Sequence, residues 1–99
     1  MVGAVLIYRD YLPFTLTVRA ELVAWRVPVP VRASTHAYKY RFALIADGDC
    51  VLRYDNEAGK GDHRHVGRRE FPYDFVGLER ARHDFLAEAR EWVRRHAAH

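Results

Sequence analysis

The spacing of apolar residues changes along the chain, from every second position in the first half to a helical spacing near the end. The alternating pattern predicts a strand with one buried face from about Phe14 to Arg26. From about Gly77 onward, apolar residues recur every three or four positions, which predicts an amphipathic C-terminal helix of about 20 residues. These two periods predict an α+β fold in which a single antiparallel β-sheet is covered on one face by the C-terminal helix.

Shorter extended segments surround the long strand. Val5 to Tyr8 predicts a short strand, because Arg9 and Asp10 and then a proline interrupt its apolar pattern. Val27 to Thr35 contains two prolines, which lack a backbone donor, and is predicted to be an extended connector. Asp62 to Gly67 predicts a further short strand.

A β-hairpin is predicted around the turn sequence Asp47-Gly48-Asp49. A three-residue loop would place the following residues opposite one another: Ala46 and Cys50, Leu44 and Leu52, Phe42 and Tyr54, Arg41 and Asp55. A two-residue loop would instead place Arg53 opposite Phe42. We favour the three-residue register because it collects the apolar residues on one face. Cys50 is the one cysteine, so no intramolecular disulfide can form, and we expect it to be a small buried hydrophobe.

Length and composition predict a single domain that spans residues 1–99. With 49% apolar and 29% charged residues, the chain is typical of neither a disordered nor a membrane-spanning protein. The apolar run from Val2 to Ile7 is too short for the core of a signal peptide. We therefore expect a cytoplasmic protein that has no membrane partner.

The chain is moderately basic, with a net charge of +3 and an isoelectric point near 9.3. Its cations are nearly all arginines, since Lys39 and Lys60 are the only lysines. The guanidinium group matches the geometry of phosphate, which favours an anionic partner such as nucleic acid. The codon usage of a GC-rich genome would produce the same excess of arginine, so charge alone leaves both explanations open.

Titratable residues are concentrated between Arg53 and His65, where a simple turn would need only Asn and Gly. On an extended strand, His63 and His65 project from the same face with Cβ atoms about 6 to 7 Å apart. One neutral imidazole could accept the proton of an RNA 2′-hydroxyl while one imidazolium protonates the departing 5′-oxygen. This reaction requires no metal and no other cofactor.

Neighbouring residues have supporting roles in this hypothesis. We expect Lys60 to stabilise the charge on the phosphorane, and Asp62 or Asp55 to orient an imidazole or an arginine. Asn56 is a second orienting candidate. The candidate RNA-binding residues are Arg41, Arg53, Tyr54 and Arg64.

Other interpretations of these residues stay open. The histidine pair could be polar filling on a solvated strand, or Asp62, His63 and His65 could form half of a metal site. Exposed aromatic residues could stack bases, although Tyr38, Tyr40 and Phe42 share the face that the helix must cover. The aromatic residues expected in the core of the helix are Phe85 and Trp92, and His36 is expected at the surface. Gly59-Lys60-Gly61 lacks the remainder of a phosphate-binding loop, which excludes nucleotide binding by that motif.

Four stretches of the chain together resemble the TumE-like family of bacterial toxins. They are Trp25-Arg26-Val27-Pro28, His36 to Leu44, the charged segment from Arg53 that includes Lys60-Gly61-Asp62-His63-Arg64-His65, and Tyr73-Asp74-Phe75. The resemblance covers nearly the whole chain. It implies the toxin of a type II toxin–antitoxin system, neutralised by a cognate antitoxin that is commonly a helix-turn-helix DNA-binding protein.

The resemblance implies a role more directly than a reaction. Endoribonuclease activity is usual among small basic toxins built from a sheet and a helix, such as the RelE-like group, and its extension to this chain is an analogy at the level of fold. The alternatives are a non-enzymatic toxin that binds and blocks a cellular protein or nucleic acid, and a structural module whose charged loop is a solvated turn. The oligomeric state is open, with a homodimer among the alternatives.

Overall fold

A computed structural model of the chain describes residues 2–57 and 59–96. Its elements are β1 (Val5–Pro13), β2 (Val18–Arg26), β3 (Tyr38–Ala46), β4 (Asp49–Asp55), β5 (His63–Val66), β6 (Arg69–Pro72) and α1 (Leu78–His96). Each strand pairs antiparallel with the next, so the six strands lie in the sheet in chain order. The predicted α+β fold is confirmed. Among the described residues, no helix combines the length and the apolarity needed to cross a membrane.

Helix α1 packs against β2, β3 and β4 and covers one face of the sheet, which we call the helix face. Phe85 of α1 is fully buried, with its ring centroid 5.8 Å from that of Phe42 and 5.5 Å from that of Tyr54. Side chains alternate between the two faces along each strand. The residues next to Phe42 and Tyr54 therefore point to the opposite face, which α1 does not cover and which we call the open face.

The N-terminal strand differs from its prediction. β1 extends through Arg9 and Asp10 to Pro13, because Asp10 points to the helix face and binds Arg82 of α1 at 2.7 Å. Pro13 is tolerated as the last residue of an edge strand. A β-bulge between Leu6 and Tyr8 shifts the register, which the short predicted strand did not anticipate.

The predicted start of the long strand at Phe14 is also wrong. β2 begins at Val18, and residues 14–17 form a turn in which Thr15 accepts hydrogen bonds from the backbone amides of Thr17 and Val18. The alternating apolar residues of β2 are buried as predicted from Val18 onward. Leu16, which continues the same pattern in the sequence, is fully exposed in the turn.

The hairpin confirms most of the favoured register. Leu44 pairs with Leu52, Phe42 with Tyr54, and Arg41 with Asp55, but the pairing of Ala46 with Cys50 is wrong. Asp47 and Gly48 both have positive φ and form a tight turn, and an irregularity after Leu44 restores the predicted register. The irregularity places Cys50 opposite Ile45, which points to the open face, so Cys50 is exposed, contrary to the expectation that it is buried.

Two features near the C-terminus complete the sheet and the core. The predicted strand around Asp62 to Gly67 is confirmed as β5, but the sequence analysis missed β6, which makes β5 an inner strand. The helix prediction is confirmed, as is the burial of Phe85. Trp92 lies near the end of α1 and is only partly buried, with its indole stacked on the ring of His96.

Candidate active site

The pairing of β4 with β5 brings the central candidate residues together on the open face. Tyr54 lies opposite Arg64 on the helix face, so the alternating neighbours of each residue point the other way. On the open face Arg53 is opposite His65, and Asp55 is opposite His63. The register of two neighbouring strands thus assembles two imidazoles, one carboxylate and one guanidinium.

The two imidazole rings are in contact, as their common face predicted. Their centroids are 4.7 Å apart and their planes meet at 75°. This separation is smaller than the length of a phosphodiester with its two flanking sugars, so the two rings are close enough to act on one phosphodiester. The arrangement permits proton transfer on both sides of a single reacting centre.

His63 is held from both ends of its ring. Its Nδ1 lies 2.8 Å from the carbonyl oxygen of Gly61, and its Nε2 lies 2.6 Å from Oδ1 of Asp55. The second contact lies off the line of the N–H bond, so it is a close charge interaction rather than a linear hydrogen bond. Only 5% of His63 is exposed, which corrects the expectation of a solvated strand residue.

His65 has a different environment. Burial lowers its pKa below the ordinary value for histidine, and the positive charges of Arg53 and His63 lower it further. The ring is therefore neutral at pH 7. Its Nε2 is buried and has no hydrogen-bond partner within residues 2–57 and 59–96. A neutral imidazole with an unused nitrogen has the chemistry of a general base.

Cationic groups flank the pair. Nε of Arg53 lies 2.7 Å from Oδ2 of Asp55, so this one carboxylate faces both Arg53 and His63. Lys60 is exposed, and its Nζ donates to the carboxylate of Glu70 at 3.2 and 3.4 Å. A depression in the surface is lined by Lys60 and His63 together with Glu70, Phe71 and Pro72 of β6. Lys60 can therefore approach a group that binds beside His63.

Glu70 is a site residue that the sequence analysis missed. It lies opposite His65 in the pairing of β5 with β6, and the hydrogen bond from Lys60 together with nearby cations lowers its pKa. Gly67 and the residues after it predict a turn between two short alternating segments. That signal could have identified β6 and placed Glu70 beside the histidines.

Asp55, rather than Asp62, supplies the carboxylate next to the imidazoles. Asp62 accepts hydrogen bonds from Ser34 at 2.9 Å, from Tyr40 at 2.7 Å and from His36 at 2.8 Å. These bonds connect the connector between β2 and β3 to the start of β5. Asp62 therefore lies outside the group around the imidazoles, whereas Asp55 lies beside both His63 and Arg53.

Two further predictions change because of the same cluster. His36 is not a surface residue, since its ring stacks on Phe75 with centroids 3.7 Å apart and its Nε2 bonds Asp62. Asn56 is fully buried, and its side chain donates to the backbone carbonyl of Tyr38 and to Ser34. Asn56 orients the start of β3 and not an imidazole.

The candidate RNA-binding residues divide between the two faces. Arg41 and Arg53 lie on the open face with the histidines. Tyr54 is only 3% exposed, and its hydroxyl donates to Glu88 of the helix at 2.6 Å, so it belongs to the core and cannot stack a base. Arg64 points to the helix face, where its guanidinium lies over the ring of Phe71. Tyr54 and Arg64 are therefore removed from the RNA-binding set.

The site also has a donor set that suits a divalent transition metal. Asp55, His63 and His65 each offer one potential ligand atom, and these atoms lie within 4.8 Å of one another. This set replaces the combination with Asp62 that the sequence suggested. The positive charge of Arg53 next to Asp55 opposes a bound cation, whereas it favours a bound phosphate.

Comparison with known proteins adds one match. A family model described as Toxin TumE matches residues 7–93, which include strands β2 to β6 and most of β1 and of the helix. No curated protein and no solved structure gives a significant match.

Proposed function

The chain belongs to the TumE toxin family, and on this basis we propose that it is the toxin of a bacterial type II toxin–antitoxin system and a metal-independent, cytoplasmic endoribonuclease. The observation that supports this reaction best is the contact between one neutral and one carboxylate-paired imidazole on the open face. In a purely structural pair, a buried ring nitrogen would be expected to have a hydrogen-bond partner, whereas Nε2 of His65 has none among the described residues.

In the proposed reaction His65 is the general base. It accepts the proton of an RNA 2′-hydroxyl, and the 2′-oxygen then forms a bond to the adjacent phosphorus. The bond between phosphorus and the 5′-oxygen breaks, and His63 in its imidazolium form donates a proton to that oxygen. The products are a 2′,3′-cyclic phosphate and a 5′-hydroxyl end; His65 has gained one proton and His63 has lost one, and exchange with water restores both rings.

Oδ1 of Asp55 lies 2.6 Å from Nε2 of His63, so this carboxylate faces the ring that donates the proton in the proposed reaction. Oδ1 of Asp55 lies off the line of the N–H bond, so Asp55 does not hold the Nε2 proton of His63 in a linear hydrogen bond. That proton can therefore be donated to the leaving oxygen. Arg53 lies opposite His65, the base, and can bind a nonbridging phosphate oxygen. Lys60 can leave its ion pair with Glu70 and bind the negatively charged phosphorane instead. Each charged group therefore has one role in the proposed reaction.

The direct test uses the purified chain and a labelled single-stranded RNA in excess EDTA. We expect cleavage to persist, to leave a 2′,3′-cyclic phosphate and to fall by about 10²- to 10⁴-fold in His65→Ala. Abolition by EDTA with recovery on addition of a divalent ion would instead assign Asp55, His63 and His65 to a metal. Growth arrest by His65→Ala as strong as that by the unmodified chain would favour the alternative, a toxin that blocks its target stoichiometrically.

We also propose that the cognate antitoxin is a helix-turn-helix DNA-binding protein that covers the open face. Covering this face would block the histidines and bury the charges of Arg53 and Lys60, which favours rapid association. Expression of the chain alone should arrest growth, and coexpression of the product of the adjacent gene should restore it. Measurement of mass in solution then distinguishes a monomeric toxin from a homodimer.

A further inference from the structure

We propose that the open face from β5 to β1 is a binding track for single-stranded RNA, which extends beyond the scissile phosphate. The track is the cross-strand row that contains His63, Asp55, Arg41, Val23 and Arg9, with Trp25 and Tyr11 on either side of it. This inference concerns the substrate of the proposed ribonuclease and rests on that function for the location of the cleaved bond.

The row is continuous across five strands. His63 pairs with Asp55, Asp55 with Arg41, Arg41 with Val23, and Val23 with Arg9. Neighbouring strands are about 4.8 Å apart, so Arg41 lies about 10 Å and Arg9 about 19 Å from the position of His63. A dinucleotide centred on the histidines would not reach Arg9, whereas a longer single strand would pass both arginines.

The two arginines of the row are available to a ligand. Within the described residues 2–57 and 59–96, no carboxylate forms an ion pair with Arg41 or Arg9. By contrast, the neighbouring Arg19 is paired with Glu21 at 2.6 Å. Arg41 and Arg9 also line one depression in the open face. Guanidinium groups without a protein partner are well suited to phosphate oxygens.

Aromatic side chains beside the row favour a single strand over a duplex. Tyr11 is 63% exposed on β1, and Trp25, which is opposite Lys39, is partly exposed on β2. Exposed rings on a sheet can stack unpaired bases, whereas the bases of an RNA duplex are already stacked on one another. An acidic protein would use the arginines but would gain little from the two aromatic faces.

The first test measures binding without cleavage. His65→Ala provides an inactive background, in which fluorescence anisotropy compares a labelled octanucleotide, the corresponding duplex and a dinucleotide. We expect the single-stranded octanucleotide to bind most tightly. Adding Arg41→Ala should weaken its binding and reduce the slope of log affinity against log salt by about one, as expected for one lost phosphate contact. Arg90→Ala is the matched control, because Arg90 is exposed on α1 and should leave affinity and slope unchanged.

The second test concerns stacking. Trp25→Ala should weaken binding of the octanucleotide by roughly tenfold or more and leave the dinucleotide unaffected, because base stacking on an aromatic residue has an effect of this size. Trp92→Phe is the control, since Trp92 lies on the helix, away from the open face. Circular dichroism of each variant checks that the fold is retained.

The outcomes separate this inference from the proposed function. Equal binding of duplex and single strand, or an Arg41 variant with unchanged affinity and salt slope, would overturn the track even if the chain cleaves RNA. Binding with these specificities in a chain that cleaves no RNA would retain the track and overturn the ribonuclease. If the antitoxin contacts Arg41 and RNA does not, the row belongs to a protein partner, and this result would also overturn the track.

Discussion

Burial lowers the pKa of His65, and the positive charge of Arg53, which lies directly opposite it across β4 and β5, lowers that pKa further. Arg53→Gln removes the charge, so the imidazolium form of His65 becomes less unfavourable and its pKa should rise toward the ordinary value. The base would then stay protonated to a higher pH, and the acidic limb of the cleavage profile should move upward in pH. NMR titration of the His65 ring measures the pKa directly. A raised pKa of His65 with an unmoved limb would contradict the assignment of His65 as the base, and an unchanged pKa would contradict the effect of Arg53.

The two histidines should respond differently to replacement by alanine. His65→Ala should lower RNA cleavage by about 10²- to 10⁴-fold with little change in melting temperature, since general acid–base catalysis has that magnitude. His63→Ala should also lower the stability, by about 1–3 kcal/mol, because it removes the buried partner of Asp55 and Gly61. Chemical denaturation of both variants, with cleavage normalised to the folded fraction, tests this difference. Equal loss of stability in both variants would contradict it.

Asp62 should contribute to stability and not to the reaction. Asp62→Asn places an amide where Tyr40 and His36 donate, so we expect a loss of about 1–3 kcal/mol. Burial and the bond to Asp62 raise the pKa of Tyr40, which keeps its hydroxyl a donor at every pH used for the assay. Cleavage per folded molecule should be unchanged. A lower turnover number at unchanged stability would return Asp62 to the catalytic residues.

The helix contributes unequally to the core along its length. Phe85→Ala should lower the free energy of unfolding by about 3–5 kcal/mol, because the ring is fully buried against Phe42 and Tyr54. Trp92→Ala should cost less, since the indole is only partly buried. Leu16→Ala is the control, because this exposed side chain should change stability by no more than about 0.5 kcal/mol. Urea denaturation measures all three, and a larger loss for Trp92 than for Phe85 would be inconsistent with the packing.

The parts of the fold that were predicted correctly depend on the local periodicity of apolar residues. A slip of one residue would move Leu52 and Tyr54 off the face that Phe42 and Leu44 share, and this part of the hairpin register is correct. Errors arose where a distant residue decides the outcome. Asp10 appeared to end β1, but its partner is Arg82, more than seventy positions along the chain.

The candidate site shows the same division. Two strand residues separated by one position share a face, so the proximity of His63 and His65 could be predicted. The choice between Asp55 and Asp62 could not, since both carboxylates are near the histidines in the sequence. Asp55 reaches His63 through strand pairing, whereas Asp62 precedes β5 and is held by Ser34 of a distant connector.

The alternation between the two faces has a consequence for mutants that escape the toxin. In a library of variants selected for survival, neighbouring positions of β4 should yield survivors for opposite reasons. Changes at Leu52 or Tyr54 would let cells survive because the protein is degraded, while changes at the partly exposed Arg53 would leave intact protein that is no longer toxic. Protein abundance among the survivors would therefore oscillate along this strand with a period of two residues. The positions of the escape mutations alone would include residues of both faces and would not identify the face that carries out the reaction.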